Sequence, residues 1–405
     1  MIRPEEALRT ILAHTPVLSD CSSDAGLPAV LRVTAEPIRA DRDIPTSDVS
    51  RMDGYAVVAP LASGTELQMV DEICAGCLPT RPIARHECSR IYTGGVLPAN
   101  ANAVVKQETV STASDGQLVT ANCSVAPGEN VTLQGSVSRE GTVVLPAGTP
   151  LGAAQAAVCA TVGETPRCYR APQLAVLCTG QEVIPEGDVP GPHQIRDAAG
   201  PSVSAAASSI GGEVALRRIV PDDLGQLTEA LAGALQNADV HVVVTVGGVS
   251  VGDYDLIPEA LKAVGAQVLL HGVAAKPGKP FLFAVGPTSK PIFGLPGNVL
   301  SALVTFFEFV APAIRKMARM PEPWHPTLPV RLASDVASIQ ERTHFVLVRV
   351  RQSDDGRWVA DPIPAQHSAD VVAAGAADGV VGVAPGDEGL TAGAEAQFCP
   401  WRPLW

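Results

Sequence analysis

The sequence lacks an excess of positive charge. Its 29 Lys and Arg residues stand against 42 Asp and Glu residues, which gives a formal net charge of −13 and a pI near 5.1. Proteins that coat nucleic acids or bind anionic membrane surfaces are usually basic, so we expect neither as a partner. Any anion site in this chain must therefore depend on local positive charge, because the net charge of the protein is negative.

Long uninterrupted apolar segments are also absent. The longest apolar run, NVLSALVTFFEFVAPAI, contains Glu308 and Pro312, which favours a buried helix over a membrane span. The N-terminal segment MIRPEEALRTILAH predicts an amphipathic helix, carries two acidic residues and lacks the apolar core of a secretory signal. We therefore expect a cytoplasmic location.

Cysteines are few, and their pattern is weak. The chain has nine, an odd number scattered along its length, which favours reduced thiols. CAGC followed by HEC could form a zinc or redox site from Cys74, Cys77 and Cys88, but no second pair stands at the usual zinc spacing. Small loop residues and core thiols are the simpler interpretation, and the sequence leaves this open.

The chain is long enough for several domains. It has 405 residues, of which 46% are hydrophobic and 18% charged, as in soluble globular proteins. We predict an N-terminal linker or dimer domain from residues 1–45 and 140–170, and a β-rich domain inserted at 46–139. An α/β domain over 171–322 and a small all-β domain over 323–405 would follow.

Apolar strands alternate with helices between residues 171 and 322. Segments such as QLAVLCTG and VHVVVTVGG are almost entirely apolar, and small-residue or amphipathic helices separate them. This rhythm is typical of a doubly wound, mostly parallel sheet covered on both faces. The predicted fold class is therefore a multidomain α/β plus β protein with a central parallel α/β domain.

Four glycine-containing loops follow the predicted strands. They are TGQE (179–182), GGVSVGDYD (247–255), KPGKP (276–280) and GLPGN (294–298). Ligands of open α/β sheets bind outside the carboxyl ends of the strands, and glycine lets backbone N–H groups approach an anion. Together the loops predict a phosphate or oxyanion site, although each alone could be structural. The candidate ligand-binding residues are Thr179, Gly180, Glu182, Gly247, Gly248, Ser250, Pro296, Gly297 and Asn298.

The GLPGN loop also has a purely structural interpretation. It could be a turn that places Asn298 at the N-cap of the next helix. The KPGKP loop is harder to explain in this way. Its prolines fix φ and its glycine permits the turn, so Lys276 and Lys279 lose little entropy when they hold an anion. We interpret this loop as a pre-organised cationic clamp.

Carboxylates accumulate at the same predicted edge. Asp197, Asp222 and Asp253 are candidate Mg²⁺ ligands, because carboxylates beside phosphates commonly hold this ion. The alternative for Asp222 and its neighbour Asp223 is helix capping. Asp53, in the MDG segment that opens the β-rich region, is consistent with a simple turn.

Five of these segments resemble motifs of the molybdopterin molybdotransferases, the family of bacterial MoeA and the gephyrin E domain. The segments are SRMDGYAV, YTGGVLPANANAVVKQE, GGVSVGDYD, KPGKPFLF and GLPGN, in the family order. The resemblance implies an elongated homodimer of four-domain subunits. It also implies a function in molybdenum cofactor biosynthesis, the Mg²⁺-dependent insertion of molybdate into adenylylated molybdopterin with release of AMP.

The resemblance also implies roles for individual residues. Lys276 and Lys279 would hold the incoming oxyanion or neutralise charge during AMP release, and the pterin phosphate would lie over the GGVS and TGQE loops. Asp53 would reach the cleft from the other subunit, with Thr93 and Glu108 nearby. Asp253 would contact metal or pterin. Molybdopterin adenylyltransferase and molybdoenzyme chaperones are further partners of this kind of enzyme.

Several positions depart from the family pattern. Val137 stands where an acid is expected, Gly272 where a lysine is expected, Gln181 where an acid is expected, and Val299 where a proline is expected. These departures leave a second hypothesis open, a catalytically weakened paralogue that binds molybdopterin or molybdate as a storage or insertion partner. A third, a molybdopterin adenylyltransferase, is disfavoured by the extra β-rich regions. The sequence does not separate molybdate from tungstate.

Overall fold

The computed structural model of the protein describes residues 1–22, 31–114, 116–250, 255–324, 326–386 and 388–402. The chain divides into two compact units. The main unit comprises Met1–Ala35, Gly148–Ala153 and Arg167–Trp405, and the inserted unit comprises Glu36–Ala147 and Ala154–Pro166. The finer division into four domains stays a prediction.

The helices of the described residues are mostly short. They are α1 (Pro4–Ala13), α2 (Ala153–Thr161), α3 (Ala199–Ser209), α4 (Leu224–Gln236), α5 (Ile257–Ala263), α6 (Val299–Thr305), α7 (Ala311–Met317) and α8 (Val371–Ala376). A 3₁₀ turn at Gln107–Thr109 and a π-helical segment at Phe306–Val310 complete the set. None of the helices in the described ranges is both long and apolar enough to span a bilayer.

The strands before α3 belong to several small sheets and to one large sheet in the inserted unit, except for the strand Gln173–Thr179, which belongs to the central sheet. They are β1 (Cys21–Ser22), β2 (Ile38–Arg39), β3 (Val49–Ser50), β4 (Gly54–Val57), β5 (Thr65–Ile73), β6 (Glu87–Ile91), β7 (Ala103–Lys106), β8 (Val110–Thr112), β9 (Leu118–Ala121), β10 (Val131–Thr132), β11 (Val143–Leu145), β12 (Cys168–Tyr169), β13 (Gln173–Thr179), β14 (Val183–Ile184) and β15 (Ile195–Arg196).

The later strands complete the central sheet and form the C-terminal one. They are β16 (Glu213–Val220), β17 (Val242–Val246), β18 (Gln267–His271), β19 (Ala275–Lys276), β20 (Leu282–Val285), β21 (Pro291–Leu295), β22 (Leu328–Leu332), β23 (Thr343–Gln352), β24 (Trp358–Pro362), β25 (Gly379–Val383) and β26 (Glu395–Pro400).

The central sheet of the main unit has the strand order β16-β13-β17-β21-β20-β18. The first four strands are parallel, whereas β20 and β18 form an antiparallel edge. Alternate residues face two separate cores: Val176 packs on the side of α3 and α6, and Leu177 packs on the side of α4 and α5. The predicted doubly wound, mostly parallel sheet is therefore confirmed.

Two further six-stranded sheets account for the β-rich regions. In the inserted unit the strand order is β7-β4-β6-β5-β9-β8, around a core that includes Tyr55, Leu67 and Val105. In the C-terminal part the order is β19-β23-β24-β22-β26-β25, and β25 pairs with β23 as well, which closes a small barrel-like sheet. Its first strand, β19, comes from the α/β region and carries Lys276.

Candidate functional site

Three of the glycine loops meet at one edge of the central sheet. Strands β13, β17 and β21 are parallel neighbours, so their carboxyl ends, and the loops after them, lie side by side. These loops line a cavity of about 720 Å³, which we call the edge cavity. The predicted residues that line it are Thr179, Gly180, Glu182, Gly247, Gly248, Ser250, Pro296, Gly297 and Asn298.

Gly247 and Gly248 are required by their backbone conformation, and Gly247 also by its close approach to Thr179. Gly247 and Gly248 have φ values of +97° and +63°. A Cβ on Gly247 would lie 2.7 Å from Oγ1 of Thr179, and one on Gly297 would lie 3.4 Å from Cα of Gly247. The edge cavity is thus walled by bare backbone, a surface typical of phosphate sites.

The acids at this edge have different tasks. Asp223 caps α4, since its carboxylate accepts the Gln226 N–H at 2.9 Å. Asp222 lines the edge cavity instead and accepts the backbone N–H of Gln181 at 3.3 Å. Burial raises the pKa of Asp222, and the charges of Glu182 and Asp255 raise it further. The capping interpretation is therefore right for Asp223 and wrong for Asp222.

Asp197 is buried at the start of α3. Its Oδ1 accepts the Gly200 N–H at 2.7 Å, and its side chain is only 3% exposed although it borders the edge cavity. Asp253 lies outside the described residues. Within the described ranges no three His, Cys, Asp or Glu side chains are grouped as metal ligands. The metal-binding role of these acids stays a prediction.

The two lysines line a second cavity, which adjoins the edge cavity. This lysine cavity has a volume of about 810 Å³ and shares Pro280, Pro296 and Asn298 with the edge cavity. The four loops thus form two adjacent chambers where the sequence predicted one site. Since β19 pairs with β23, Lys276 stands beside His344 of the C-terminal sheet.

The lysine turn is held rigidly by its neighbours. Gly278 has a φ of +114°, and a Cβ there would lie 2.6 Å from Cγ2 of Thr305. The Lys279 carbonyl accepts the Val273 N–H at 2.9 Å. The ring of Phe281, fully buried, lies 4.6 Å from that of Phe309 between centroids. The backbone is anchored while both lysine side chains remain exposed.

The C-terminal part supplies the opposite wall of the lysine cavity, and sequence reasoning missed these residues. They are Arg342, His344, Gln366, His367 and Ser368. The first two lie in the segment ERTHFVLVRV. The cation Arg342, directly before the apolar strand β23, was the available signal.

Asn298 connects the two chambers. It occupies the N-cap position of α6 but makes no side-chain capping bond. Its Nδ2 donates instead to Oγ of Ser368 at 2.7 Å. The predicted N-cap position of Asn298 is therefore confirmed, but its side chain does not cap α6 and binds a residue 70 positions away in the chain instead.

Asp53 and Thr93 form a pair within the inserted unit. Oδ1 of Asp53 accepts both the backbone N–H and the hydroxyl of Thr93, each at 2.8 Å. These bonds, the backbone one first, lower the pKa of Asp53. Glu108 is exposed on the 3₁₀ turn, whose Gln107 N–H donates to the Asp53 carbonyl at 3.0 Å. The three residues are neighbours, and their catalytic role stays a prediction.

The cysteines proposed as a possible zinc set separate in the structure. Cys88 is fully buried on β6, and burial raises its pKa to about 12. Cys74 and Cys77 are exposed in the turn after β5. A three-cysteine metal site is not formed by these described residues.

Comparison with known proteins adds three family models that together span most of the chain. Residues 2–163 match the MoeA N-terminal region (domain I and II). Residues 175–316 match the probable molybdopterin binding domain, and residues 329–401 match the MoeA C-terminal region (domain IV). The boundaries between these matches fall beside α2 and after α7.

Individual relatives show the same likeness. A molybdopterin molybdenumtransferase of a Nostoc species is 36% identical over 78% of this chain and 74% of its own length. One from Staphylococcus aureus is 33% identical over 89% of this chain and 86% of its own length. The solved structure of a molybdopterin biosynthesis MoeA protein from Pyrococcus horikosii has a TM-score of 0.80 and 29% identity, and covers 100% of both chains.

Proposed function

The chain belongs to the MoeA family and is a molybdenum-inserting enzyme of molybdenum cofactor biosynthesis, and on that premise we propose how its two chambers divide the reaction. The substrates are adenylylated molybdopterin and molybdate. The products are the molybdenum-loaded cofactor and AMP, and Mg²⁺ assists. The observation that carries the proposal is the pair of adjoining cavities, one walled by glycine backbone and the other by cations.

The edge cavity binds the phosphate end of adenylylated molybdopterin. Gly248 and Gly297 leave backbone open at the ends of parallel strands, where an anion meets N–H groups without a side chain in the way, whereas the Gly247 N–H donates to the Leu295 carbonyl at 3.0 Å. Ser250 is fixed by its own N–H, which donates to Asp255 at 2.9 Å. The loops thus orient the substrate before reaction, which is how positioning contributes to catalysis.

The lysine cavity binds the oxyanion. Lys276, Lys279 and Arg342 bring three cations to one chamber of a protein with a net charge of −13. Charge-assisted hydrogen bonds from such groups to an oxyanion are among the stronger polar contacts in proteins. Because the chambers share Asn298, molybdate would be held next to the bound pterin.

The acids of the edge cavity suit a divalent cation in one respect. Burial is the main cause that raises the pKa of Asp222, the charges of Glu182 and Asp255 raise it further, and a cation would relieve this added repulsion. Mg²⁺ is commonly held by one or two carboxylates together with substrate phosphates. Asp222 and Asp255 would hold it here, with Asp253 and Asp197 as further candidates. When bound, the ion supplies positive charge that stabilises the departing phosphate.

The departures from the family pattern bear on the alternative, a weakened paralogue that stores or delivers cofactor. Gly272 does not line the lysine cavity, and Arg342 brings a further cation there. Val137 is 74% exposed on the inserted unit. The edge cavity has the glycine backbone and acids, and the lysine cavity the cations, that the reaction requires. We therefore favour an active enzyme over the paralogue.

One assay separates these possibilities. Purified protein is mixed with adenylylated molybdopterin, Mg²⁺ and either molybdate or tungstate, and AMP release and bound metal are measured together. We expect stoichiometric AMP release that depends on the oxyanion. Tight pterin binding without AMP release would instead support the storage function. Parallel reactions with molybdate and tungstate identify the preferred oxyanion.

We also propose that the enzyme is a homodimer in which Asp53 acts at the cavities of the partner subunit. The pair with Thr93 holds the Asp53 carboxylate ionised and in one orientation, as a catalytic group requires. Mixing Asp53→Asn subunits with Lys279→Ala subunits tests this directly. If sites are shared between subunits, half the mixed dimers' sites are intact, and random exchange restores about one quarter of wild-type activity.

No recovery in the mixture, with dimers shown by light scattering to have exchanged, would place Asp53 and Lys279 in sites of the same subunit. A stable monomer with full activity would exclude the dimer. Each single variant alone serves as the baseline for the mixture.

A further inference from the structure

The CAGC segment after β5 has no part in the proposed reaction. Of the nine cysteines, all within the described ranges, only Cys74 and Cys77 are exposed. Five of the others are buried, and Cys21 and Cys123 are partly buried. The inserted unit therefore presents one pair of thiols to solvent, three residues apart in the chain.

The backbone of this segment is a tight turn. The Cys77 N–H donates to the Cys74 carbonyl at 3.1 Å, and Gly76 has a φ of +82°. A turn closed by such a bond brings its first and fourth Cα atoms to within about 7 Å. Disulfides join Cα atoms about 4.4 to 6.8 Å apart, so this turn brings the two Cα atoms to a separation that a disulfide can span.

The base of the turn is fixed independently of the cysteines. Oδ1 of Asp71 accepts the Glu72 N–H, and its Oδ2 accepts the Thr80 N–H, each at 2.9 Å. The residues on either side of the CAGC segment are therefore tied together through one side chain. A bond between the two sulfurs can form at the tip without rearranging the strand below it.

The CAGC turn also contacts the segment around Thr93, the residue that donates hydrogen bonds to Asp53. The Tyr92 N–H donates to the carbonyl of Ile73, the residue before Cys74, at 3.2 Å. A Cβ on Gly94 would lie 3.8 Å from Cβ of Ala75, inside the turn. Gly94 follows Thr93, whose N–H and hydroxyl bind Asp53. The turn that carries the two thiols is thus connected to the Asp53–Thr93 pair through Gly94 and Tyr92, the residues on either side of Thr93.

We propose that Cys74 and Cys77 form a reversible dithiol–disulfide pair, a redox modification site whose oxidised form steadies the Thr93–Asp53 hydrogen bonds. The oxidant is a small-molecule disulfide such as glutathione disulfide. One cysteine thiolate attacks it, a mixed disulfide forms and one small thiol leaves; the second cysteine then displaces the other small thiol. Two electrons pass to the small disulfide, and the two cysteine protons end on the released thiols.

The significance of the site for catalysis rests on the proposed role of Asp53, so the test uses readouts other than turnover. The protein is equilibrated with mixtures of glutathione and its disulfide, quenched with an alkylating agent and digested with trypsin. Cleavage after Arg51 and Arg85 releases residues 52–85, which contain Cys74 and Cys77 but no other cysteine. Oxidation makes this peptide lighter by two hydrogen atoms and removes both alkylated sites.

The expected result is loss of both alkylation sites in that peptide at a glutathione ratio that leaves Cys21 and Cys123 reduced. Cys77→Ser should instead retain glutathione on Cys74 as a stable mixed disulfide. Cys123→Ser is the matched control and should behave like the unchanged protein. A peptide 52–85 that keeps two free thiols, or that reacts no more readily than Cys21 and Cys123, would overturn the redox site.

Hydrogen exchange measures the second part of the proposal. In the unchanged protein, oxidation should slow exchange of the Thr93 amide several-fold, because the closed turn holds Gly94 and its neighbour in place. In Cys77→Ser the same treatment should leave that exchange rate unchanged. Equal Thr93 exchange in the reduced and disulfide forms would show that the pair does not act on Asp53.

Discussion

Replacing Lys279 by alanine separates the anion-binding role of the lysine turn from its structural role. The side chain is exposed in the lysine cavity, whereas its backbone carbonyl accepts the Val273 N–H. Alanine preserves that carbonyl and removes the side chain beyond Cβ, including the ammonium group. Lys262, exposed on α5 and outside both cavities, provides a matched control that removes the same charge.

The magnitude follows from the contact that is lost. A hydrogen bond to a charged group contributes about 1.5–3 kcal/mol, and each 1.4 kcal/mol corresponds to about tenfold in affinity. Lys279→Ala should therefore weaken molybdate binding roughly 10- to 150-fold, towards the lower end because the ammonium is exposed to solvent and salt. Stability should change by no more than about 0.5 kcal/mol, as for other exposed substitutions.

Equilibrium binding of molybdate by calorimetry and thermal unfolding of the same samples measure both quantities. Lys262→Ala should leave both unchanged, and raising the ionic strength should reduce the difference between Lys279→Ala and the unchanged protein. The reasoning is refuted if Lys279→Ala binds molybdate normally, or if it melts far below the control while the folded fraction binds as before. The first result would show that the oxyanion binds elsewhere, and the second would show that Lys279 has a structural role.

Other predictions concern the turn, the departures and a buried acid. Gly278→Ala should destabilise the protein by about 2 kcal/mol or more in denaturant titration, since its φ is +114° and its Cβ would meet Thr305 at 2.6 Å. Gly272→Lys should cost about 1 kcal/mol in the same titration, because φ is +92° there, although a Cβ would lie no closer than 3.8 Å, from the Lys279 carbonyl oxygen. Val137→Asp, at an exposed site, should stay within about 0.5 kcal/mol. Burial raises the pKa of Glu308 to about 7 from 4.5, so the native state binds the extra proton between these values. Unfolding free energy should therefore fall by about 1–3 kcal/mol from about pH 5 to about pH 8, and Glu308→Gln should abolish that fall.

Much of the architecture follows from local pattern. The apolar strands that alternate with helices predict a parallel sheet, and a parallel sheet collects its loops at one edge. TGQE, GGVS and GLPGN were therefore expected at one edge of the sheet, and the strand order places Gly297 against Gly247. The short period of a strand and the breaks at glycine and proline are local properties, which is why the sequence reveals them.

The chemistry at the shared boundary of the two chambers depended on distant residues. The side chain of Asn298 could cap α6 or bind Ser368, and that of Asp222 could cap α4 or face the cavity. The residues next to them in the sequence do not determine which contact forms. Each of these side chains could bind either a backbone group of the nearby helix or a group from a distant part of the chain. Only the packed chain decides which of them is present.

The sequence by itself determined the doubly wound sheet, the loops at its edge and the two cations on a proline-fixed turn. Tertiary structure alone decided that those cations face a separate chamber, where β19 pairs with β23 and brings Lys276 beside His344. That pairing joins residues 68 positions apart (344 − 276), and Arg342 enters the same cavity with it. Periodicity reports which face of an element is buried, but not which distant element covers it, because that choice depends on the free energy of the whole packed chain.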